Sequence, residues 1–213
     1  MKNIVVLCDF DGTISKHDVT DGLLERFASP DWEELEAAWT EGLITSRQCM
    51  AEQYALIKAS EAELDAWLEN VAIDETFLDF LAYCRANGIP LTIVSDGFDY
   101  YIERVLARHG ITGVDVFSNH LEFQDDRIVT EFPHGSDECD TCGNCKTGIF
   151  HKVKTPENTV VYIGDGWSDR CIAHESDVIF AKHKLITYCS ERGLDFTPYV
   201  TFADVVEEMR RWA

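Results

Sequence analysis

Three short runs of apolar, mostly β-branched residues constrain this chain most: Ile4 to Leu7, Leu91 to Val94 and Thr159 to Ile163. Successive side chains of a strand point to opposite faces, so a strand with one wet face alternates apolar with polar. These runs do not alternate. They need cover on both faces, which a parallel sheet between two layers of helices provides. Val178 to Ala181 has the same character and reads as a fourth strand. Helical patterns lie between the runs. Phe77, Leu78, Leu81 and Cys84 share one face of a segment that Gly88 and Pro90 stop, and Ile102, Val105 and Leu106 share a face of one that Gly110 ends. The alternation predicts an α/β fold, a doubly wound parallel sheet with helices on both sides.

Residues 16–73 break that rhythm with helix after helix and no strand. Leu64, Trp67, Leu68 and Val71 fall at i, i+3, i+4 and i+7 behind a capping box of Ser60 and Glu63, and Thr45 with Gln48 caps the helix before it. Trp32, Leu35 and Trp39 mark a third helix, and Leu23, Leu24 and Phe27 a fourth. The Trp and Leu stripes read as core. The expected organisation is a core of residues 1–15 and 74–213 interrupted by a helical insertion, 16–73. A chain of 213 residues suits one domain of this kind. From Leu121 to Phe132, two short runs flanking Gln124-Asp125-Asp126-Arg127 predict a β-hairpin.

Charge narrows the partners. Lys plus Arg number 18 against 39 Asp plus Glu, a formal net charge of -21. Such a surface repels phosphate backbones and anionic lipid, so neither nucleic acid nor membrane is an expected partner. An anionic substrate would need a metal ion or a well-placed lysine. No apolar run approaches a membrane span, and Met1-Lys2-Asn3 leads into a strand rather than a signal peptide, so the expected location is cytoplasmic. Of eight cysteines, Cys139, Cys142 and Cys145 are spaced C-x-x-C-x-x-C. With His134 they could close a tetrahedral structural Zn²⁺ site; free thiols in a polar loop are the alternative.

Chemistry gathers where the predicted strands end. Asp9 and Asp11, at i and i+2 on an extended segment, project to the same side, at the strand end where open α/β sheets bind ligands. Ser95-Asp96-Gly97 follows the second run and precedes a helix, a setting in which a hydroxyl and backbone N–H groups can hold an anion. Gly164-Asp165-Gly166-Trp167-Ser168-Asp169 adds two more acids at the same edge. Acids so crowded repel unless a cation binds among them, and carboxylate oxygens suit Mg²⁺. Lys146, directly after the cysteine cluster, would be the fixed positive charge for an anionic substrate.

These four pieces, in this order, resemble the haloacid dehalogenase superfamily of phosphohydrolases: D-x-D-G-T at Asp9 to Thr13, Ser95, Lys146, and G-D-x-x-x-D at Gly164 to Asp169. The resemblance implies a Rossmann-like core, with the insertion as a C1-type helical cap of the phosphoserine-phosphatase-like branch. Ser95 to Asp99, Pro133-His134-Gly135, Cys145-Lys146 and the tail (Phe180-Ala181-Lys182, Tyr188-Cys189, Pro198-Tyr199, Phe202) are similar to a subgroup acting on the enol phosphate of methionine salvage. That subgroup is related to phosphoethanolamine and phosphocholine phosphatases. By this resemblance Asp9 is the nucleophile and Asp11 the acid and base. Asp9, the Asp11 carbonyl, Asp165 and Asp169 form the Mg²⁺ site, Asp169 orienting Lys146 or a metal-bound water. Ser95, Asp96, Gly97 and Lys146 hold the phosphoryl group, Thr13 supports the loop, and Asp18 begins the region that reads the leaving group.

The expected function is therefore Mg²⁺-dependent hydrolysis of a small phosphorylated metabolite through an aspartyl-phosphate. A phosphoserine or amino-alcohol phosphatase is the enzymatic alternative, although phosphoserine phosphatases carry small residues where Asp96 stands. A phospho-receiver module is the non-enzymatic one, disfavoured because its acidic pair is adjacent and it has no insertion. His109, His151 and His183 read as ordinary.

Overall fold

The computed structural model of the chain describes residues 3–125, 127–135 and 142–212. Among them seven strands form one sheet: β1 (Asn3–Cys8), β2 (Leu91–Phe98), β3 (Asp115–Gln124), β4 (Arg127–Glu131), β5 (Asn158–Gly164), β6 (Val178–Ala181) and β7 (Thr197–Pro198). Their spatial order is β4-β3-β2-β1-β5-β6-β7. Every neighbouring pair is parallel except the β3–β4 hairpin at one edge. The fold is α/β, as the unbroken apolar runs require.

Cover on both faces is what makes those runs continuous. Val6, Cys8, Ile93, Val161 and Ile163 face one buried cluster with α5 (Thr76–Ala86), α6 (Asp99–Arg108) and α10 (Phe202–Arg210), which the helical insert joins. Leu7, Val94, Val160 and Tyr162 face the other, with α7 (Lys146–Val153), α8 (Arg170–Glu175) and α9 (His183–Arg192). Neighbouring strand residues thus serve opposite cores.

Between β1 and α5 lie α1 (Val19–Phe27), α2 (Trp32–Thr40), α3 (Ser46–Ala55) and α4 (Glu61–Leu68). Both capping boxes form, Thr45 with Gln48 and Ser60 with Glu63. The two chain crossings that connect this insert run side by side: Ser15 and Ile73 form an antiparallel bridge, and Lys16 N donates to the Ala72 carbonyl at 2.9 Å. One stripe departs from expectation. α2 buries none of its residues, so Trp32, Leu35 and Trp39 are not core.

β3 also differs from the hairpin read in the sequence. It starts at Asp115 rather than near Leu121; its first half pairs parallel with β2, and the rest pairs antiparallel with β4. Asp115, Ser118, Asn119 and His120 interrupt the apolar pattern there, which hides the strand. Two-residue β7 is too short to carry a pattern, and Pro198 suits its edge position. The sheet's connections diverge from β1, toward β2 and β3 on one side and β5 to β7 on the other. That places the crevice of a doubly wound sheet at the carboxyl ends of β1 and β5. Among the described residues, no helix is long and apolar enough to cross a membrane.

Candidate active site

Strand register sets the site. Cys8 aligns with Ile163 on one side and Ile93 on the other, so Asp9, Asp165 and Ser95 emerge at nearly one level. Asp9 N donates to the Ile163 carbonyl at 2.9 Å. The turn after Asp9 needs glycine at Gly12, whose φ is +66° and where a Cβ would strike the Asp165 carboxylate. Across the crevice β2 leaves its ladder between Val94 and Phe98. A Cβ on Gly97 would strike the Tyr101 hydroxyl and the Asp11 carboxylate.

Lys146 opens α7 with Cys145 as its N-cap, the cap sulfur accepting from Gly148 N at 3.4 Å. Only 3% exposed, its Nζ lies 2.9 Å from Asp9 Oδ1 and 2.6 Å from Asp169 Oδ1, and donates to Tyr162 Oη at 3.3 Å and Ser168 Oγ at 3.4 Å. Burial would lower the ammonium's pKa, but Asp169, Asp9 and Asp96 hold it well above the usual lysine range. Asp169 is buried and fully engaged. Oδ1 takes Lys146 and the Tyr162 hydroxyl; Oδ2 accepts Asp165 N at 2.9 Å and Gly166 N at 3.0 Å.

One ligand oxygen from each of Asp9, Asp165 and Asp169 lies within 4.8 Å of the others, a trio of side chains among the described residues that could hold a metal ion. Burial, then the charge of Asp169, raises both the Asp9 carboxyl and that of Asp165, the latter to about 7. Buried carboxylates this close, with hard oxygen donors, are the donor set that a Mg²⁺ ion suits. Because both Asp169 oxygens are already bonded, Asp9 and Asp165 are the members best able to contact an ion directly.

Asp11 turns away from this trio. Its Oδ1 accepts Val19 N at 3.0 Å, and its Oδ2 accepts the Tyr101 hydroxyl and, at 3.5 Å, the Ser95 hydroxyl. Burial raises its carboxyl to about 6, against the pull of the Tyr101 and Val19 hydrogen bonds. A carboxyl that holds a proton near neutrality can act as acid and base. Ser95 Oγ also accepts Gly97 N at 3.0 Å. Asp96, expected among the phosphate-holding residues, uses its carboxylate otherwise: Oδ1 accepts Asn144 N at 3.1 Å and Oδ2 faces Ser46 Oγ at 3.5 Å. It braces the approach to Lys146, where Asn144 Nδ2 donates to the Ser95 and Phe117 carbonyls at 2.9 and 2.7 Å.

The expected zinc site is not supported. His134 sets its ring edge-on against Phe117, Cys145 serves as a helix cap, and the Cys142 carbonyl accepts Arg47 Nε at 2.9 Å. Cys139 lies outside the described residues.

A cavity of about 610 Å³ opens over the acids, roofed by the insert. Asp18 lines it, capping α1 by accepting Asp21 N at 3.0 Å; burial, then Asp11 and Asp21, raises its carboxyl well above the ordinary range. Sequence reasoning missed other lining residues: Trp39, Cys49, Met50 and His183. Trp39, Cys49 and Met50 look like helix-stripe core, and His183, at φ +49°, stands one residue beyond Lys182 with no local motif to mark it. Tyr101 and Tyr162 were also missed. Their hydroxyls, buried in apolar helix and strand, need partners, and that need is the signal that could have found them.

A family model described as haloacid dehalogenase-like hydrolase matches residues 6–174. A Geobacillus kaustophilus protein named 2-hydroxy-3-keto-5-methylthiopentenyl-1-phosphate phosphatase is 32% identical over 215 residues, covering 99% of this chain and 97% of that protein. One of the same name from an Exiguobacterium strain is 30% identical over 209 residues, 96% of each. Among solved structures, a phospho-aspartyl intermediate analogue of phosphoserine phosphatase superposes with a TM-score of 0.71 at 16% identity, covering 97% of this chain and 98% of that one. At that identity the likeness is one of fold.

Proposed function

The chain belongs to the haloacid dehalogenase-like hydrolases, and from that premise and the geometry at the sheet edge we propose a Mg²⁺-dependent phosphatase that works through an aspartyl-phosphate on Asp9. That it is a phosphoric monoester hydrolase follows from the family and its phosphatase relatives. The observation that carries the finer reading is Lys146, buried between Asp9 and Asp169 beside Asp165 at one crevice.

Asp9 Oδ attacks phosphorus; the bond to the leaving oxygen breaks, and that oxygen takes its electron pair and a proton from Asp11. Water then attacks the aspartyl-phosphate, gives its proton to Asp11, and frees phosphate and the Asp9 carboxylate. Ser95, the Gly97 backbone and Lys146 hold the non-bridging oxygens. Asp9 and Asp165, supported by Asp169, would hold Mg²⁺, which would supply positive charge to offset repulsion between carboxylate and phosphate. Residues 16–73 act as the cap, limiting substrates to small ones.

The substrate we infer is 2-hydroxy-3-keto-5-methylthiopentenyl-1-phosphate, the compound in the names of both full-length relatives. The cavity supports it over an amino-alcohol phosphate. Two of its acids already have hydrogen-bond partners: Asp18 caps α1, and Glu36 accepts Gln53 Nε2 at 3.2 Å. Trp39, Cys49 and Met50 offer an apolar surface to a methylthio end. Specificity constants for this enol phosphate, phosphoserine and phosphoethanolamine test the reading. A clear preference for the enol phosphate, lost on chelation with EDTA, is expected; preference for either of the others refutes the substrate, and full activity after metal stripping refutes the mechanism.

A further inference from the structure

Two buried lysines flank the acid trio, and the mechanism uses only Lys146. The second, Lys182, directly follows β6 and is 8% exposed. Its Nζ donates to the Thr13 carbonyl at 3.1 Å and lies 5.2 Å from the centre of the Tyr199 ring. Lys146 has two carboxylates within 3 Å; among the described residues none comes within 4.0 Å of Lys182 Nζ. A buried ammonium without a paired carboxylate is costly, so stability alone gives little reason to keep it.

Its connections point to the catalytic loop. Thr13 closes the turn after Asp9, its N donating to the Phe10 carbonyl at 3.2 Å, and its hydroxyl donates to Asp165 Oδ1 at 3.2 Å. Lys182 N donates to the Gly164 carbonyl at 3.2 Å. One residue therefore joins the ends of three neighbouring strands: β6 by its own position, β5 through its backbone, and the β1 loop through its side chain. Burial pulls the ammonium below the usual lysine range, while Asp165 and Asp74, and more weakly Asp9, pull it back.

We propose that Lys182 is a positioning residue for the metal-binding acids, tying the Asp9–Thr13 loop to the end of β5 and lending a positive charge from behind that lets Asp9 and Asp165 stand together. The inference rests on the Mg²⁺ reading above. It makes two effects of opposite sign. Removing the tie loosens the nucleophile and lowers kcat, whereas removing the charge leaves the acid site more negative and tightens Mg²⁺.

Calorimetric titration with Mg²⁺ alone, near pH 8, and steady-state kinetics on wild type, Lys182→Met and Lys182→Arg separate these effects. Lys182→Met is expected to bind Mg²⁺ roughly threefold or more tighter and to lose about tenfold or more in kcat with KM little changed. Lys182→Arg should restore most of both. Mg²⁺ binding that weakens along with kcat, as damage to the fold would give, or that stays unchanged, overturns the proposal. Lys182→Gln carries the same test should Lys182→Met not fold. Absence of Mg²⁺ binding in the wild type would instead refute the metal reading itself, and this inference with it.

Discussion

Asp9 and Asp11 are two residues apart and sit in different surroundings, which is why they can do different work. Asp9 lies against Lys146 at 2.9 Å, so its carboxylate is held close to a cation. Asp11 instead meets hydroxyl and N–H donors, and burial raises it to about 6. Asp9→Asn keeps volume and is expected to lower kcat by roughly three orders of magnitude or more with little change in melting temperature. Asp11→Asn should cost about 10²- to 10⁴-fold with phenyl phosphate and less with p-nitrophenyl phosphate, whose leaving group needs no proton. In its proposed role Asp11 donates only when protonated, so the single-turnover rate of phosphoryl transfer should fall as pH rises through about 6. Tyr101→Phe removes a hydrogen bond that favours the charged carboxylate, which raises its pKa further. The falling limb should then move to higher pH; a limb that moves down or stays would show that Asp11 is not the titrating acid.

At the scale of elements, the segment entering α7 decides whether Lys146 arrives in place. Asn144 is its anchor, donating to the Ser95 and Phe117 carbonyls and, through its backbone, to Asp96. Asn144→Ala would leave two buried carbonyl bonds unmade, a loss of about 2 kcal/mol or more. Denaturant unfolding should register that loss. Because Lys146 follows two residues later, kcat should fall as well, by a similar factor for every substrate, since the lysine in its proposed role acts on the phosphoryl group they share. A loss confined to one leaving group would place Asn144 in substrate reading instead. Parts of this segment were legible in advance: Lys146 stood out as a cation beside many acids. Asp96 did not read as a brace, because its partners Ser46 and Asn144 are each about fifty residues away in sequence.

For the whole molecule, charge and fold pull against each other. A chain of net charge -21 repels itself, and its fold presses acids into one crevice. Asp11 and Asp165 are raised from 3.8 to about 6 and about 7, so between these values the folded chain holds more protons than the unfolded one. Stability therefore falls as pH rises across that window, by the sign of the proton difference. Metal-free protein should melt at a higher temperature near pH 5 than near pH 7.5. The proposed Mg²⁺ would bind the ionised acids, so the rise in melting temperature on adding it should be larger near pH 7.5. Equal thermal shifts at both pH values would argue that the ion binds away from these carboxylates.

The unbroken apolar runs and the acids that end them determined the sheet, its parallel sense and the edge where chemistry gathers. These are local properties: a strand covered on both faces must be apolar at every position, and a loop acid is visible wherever it stands. The hairpin half of β3 was legible, but its first half escaped because the strand's surroundings change along it, buried at Leu121 and exposed at Asp115, so no single period marks it. The helix-stripe rule separates one face of α2 from the other, but only packing says whether a face meets core or cavity, and Trp39 meets the cavity. Lys182, Tyr101 and Asp96 owe their places near the acids to partners from 23 to 169 residues away. Sequence pattern reports which side chains share an element's face. Which groups from distant elements meet, and so which lysine is buried beside which carbonyl, is decided only when β1, β5 and β6 align and their loops close over one another.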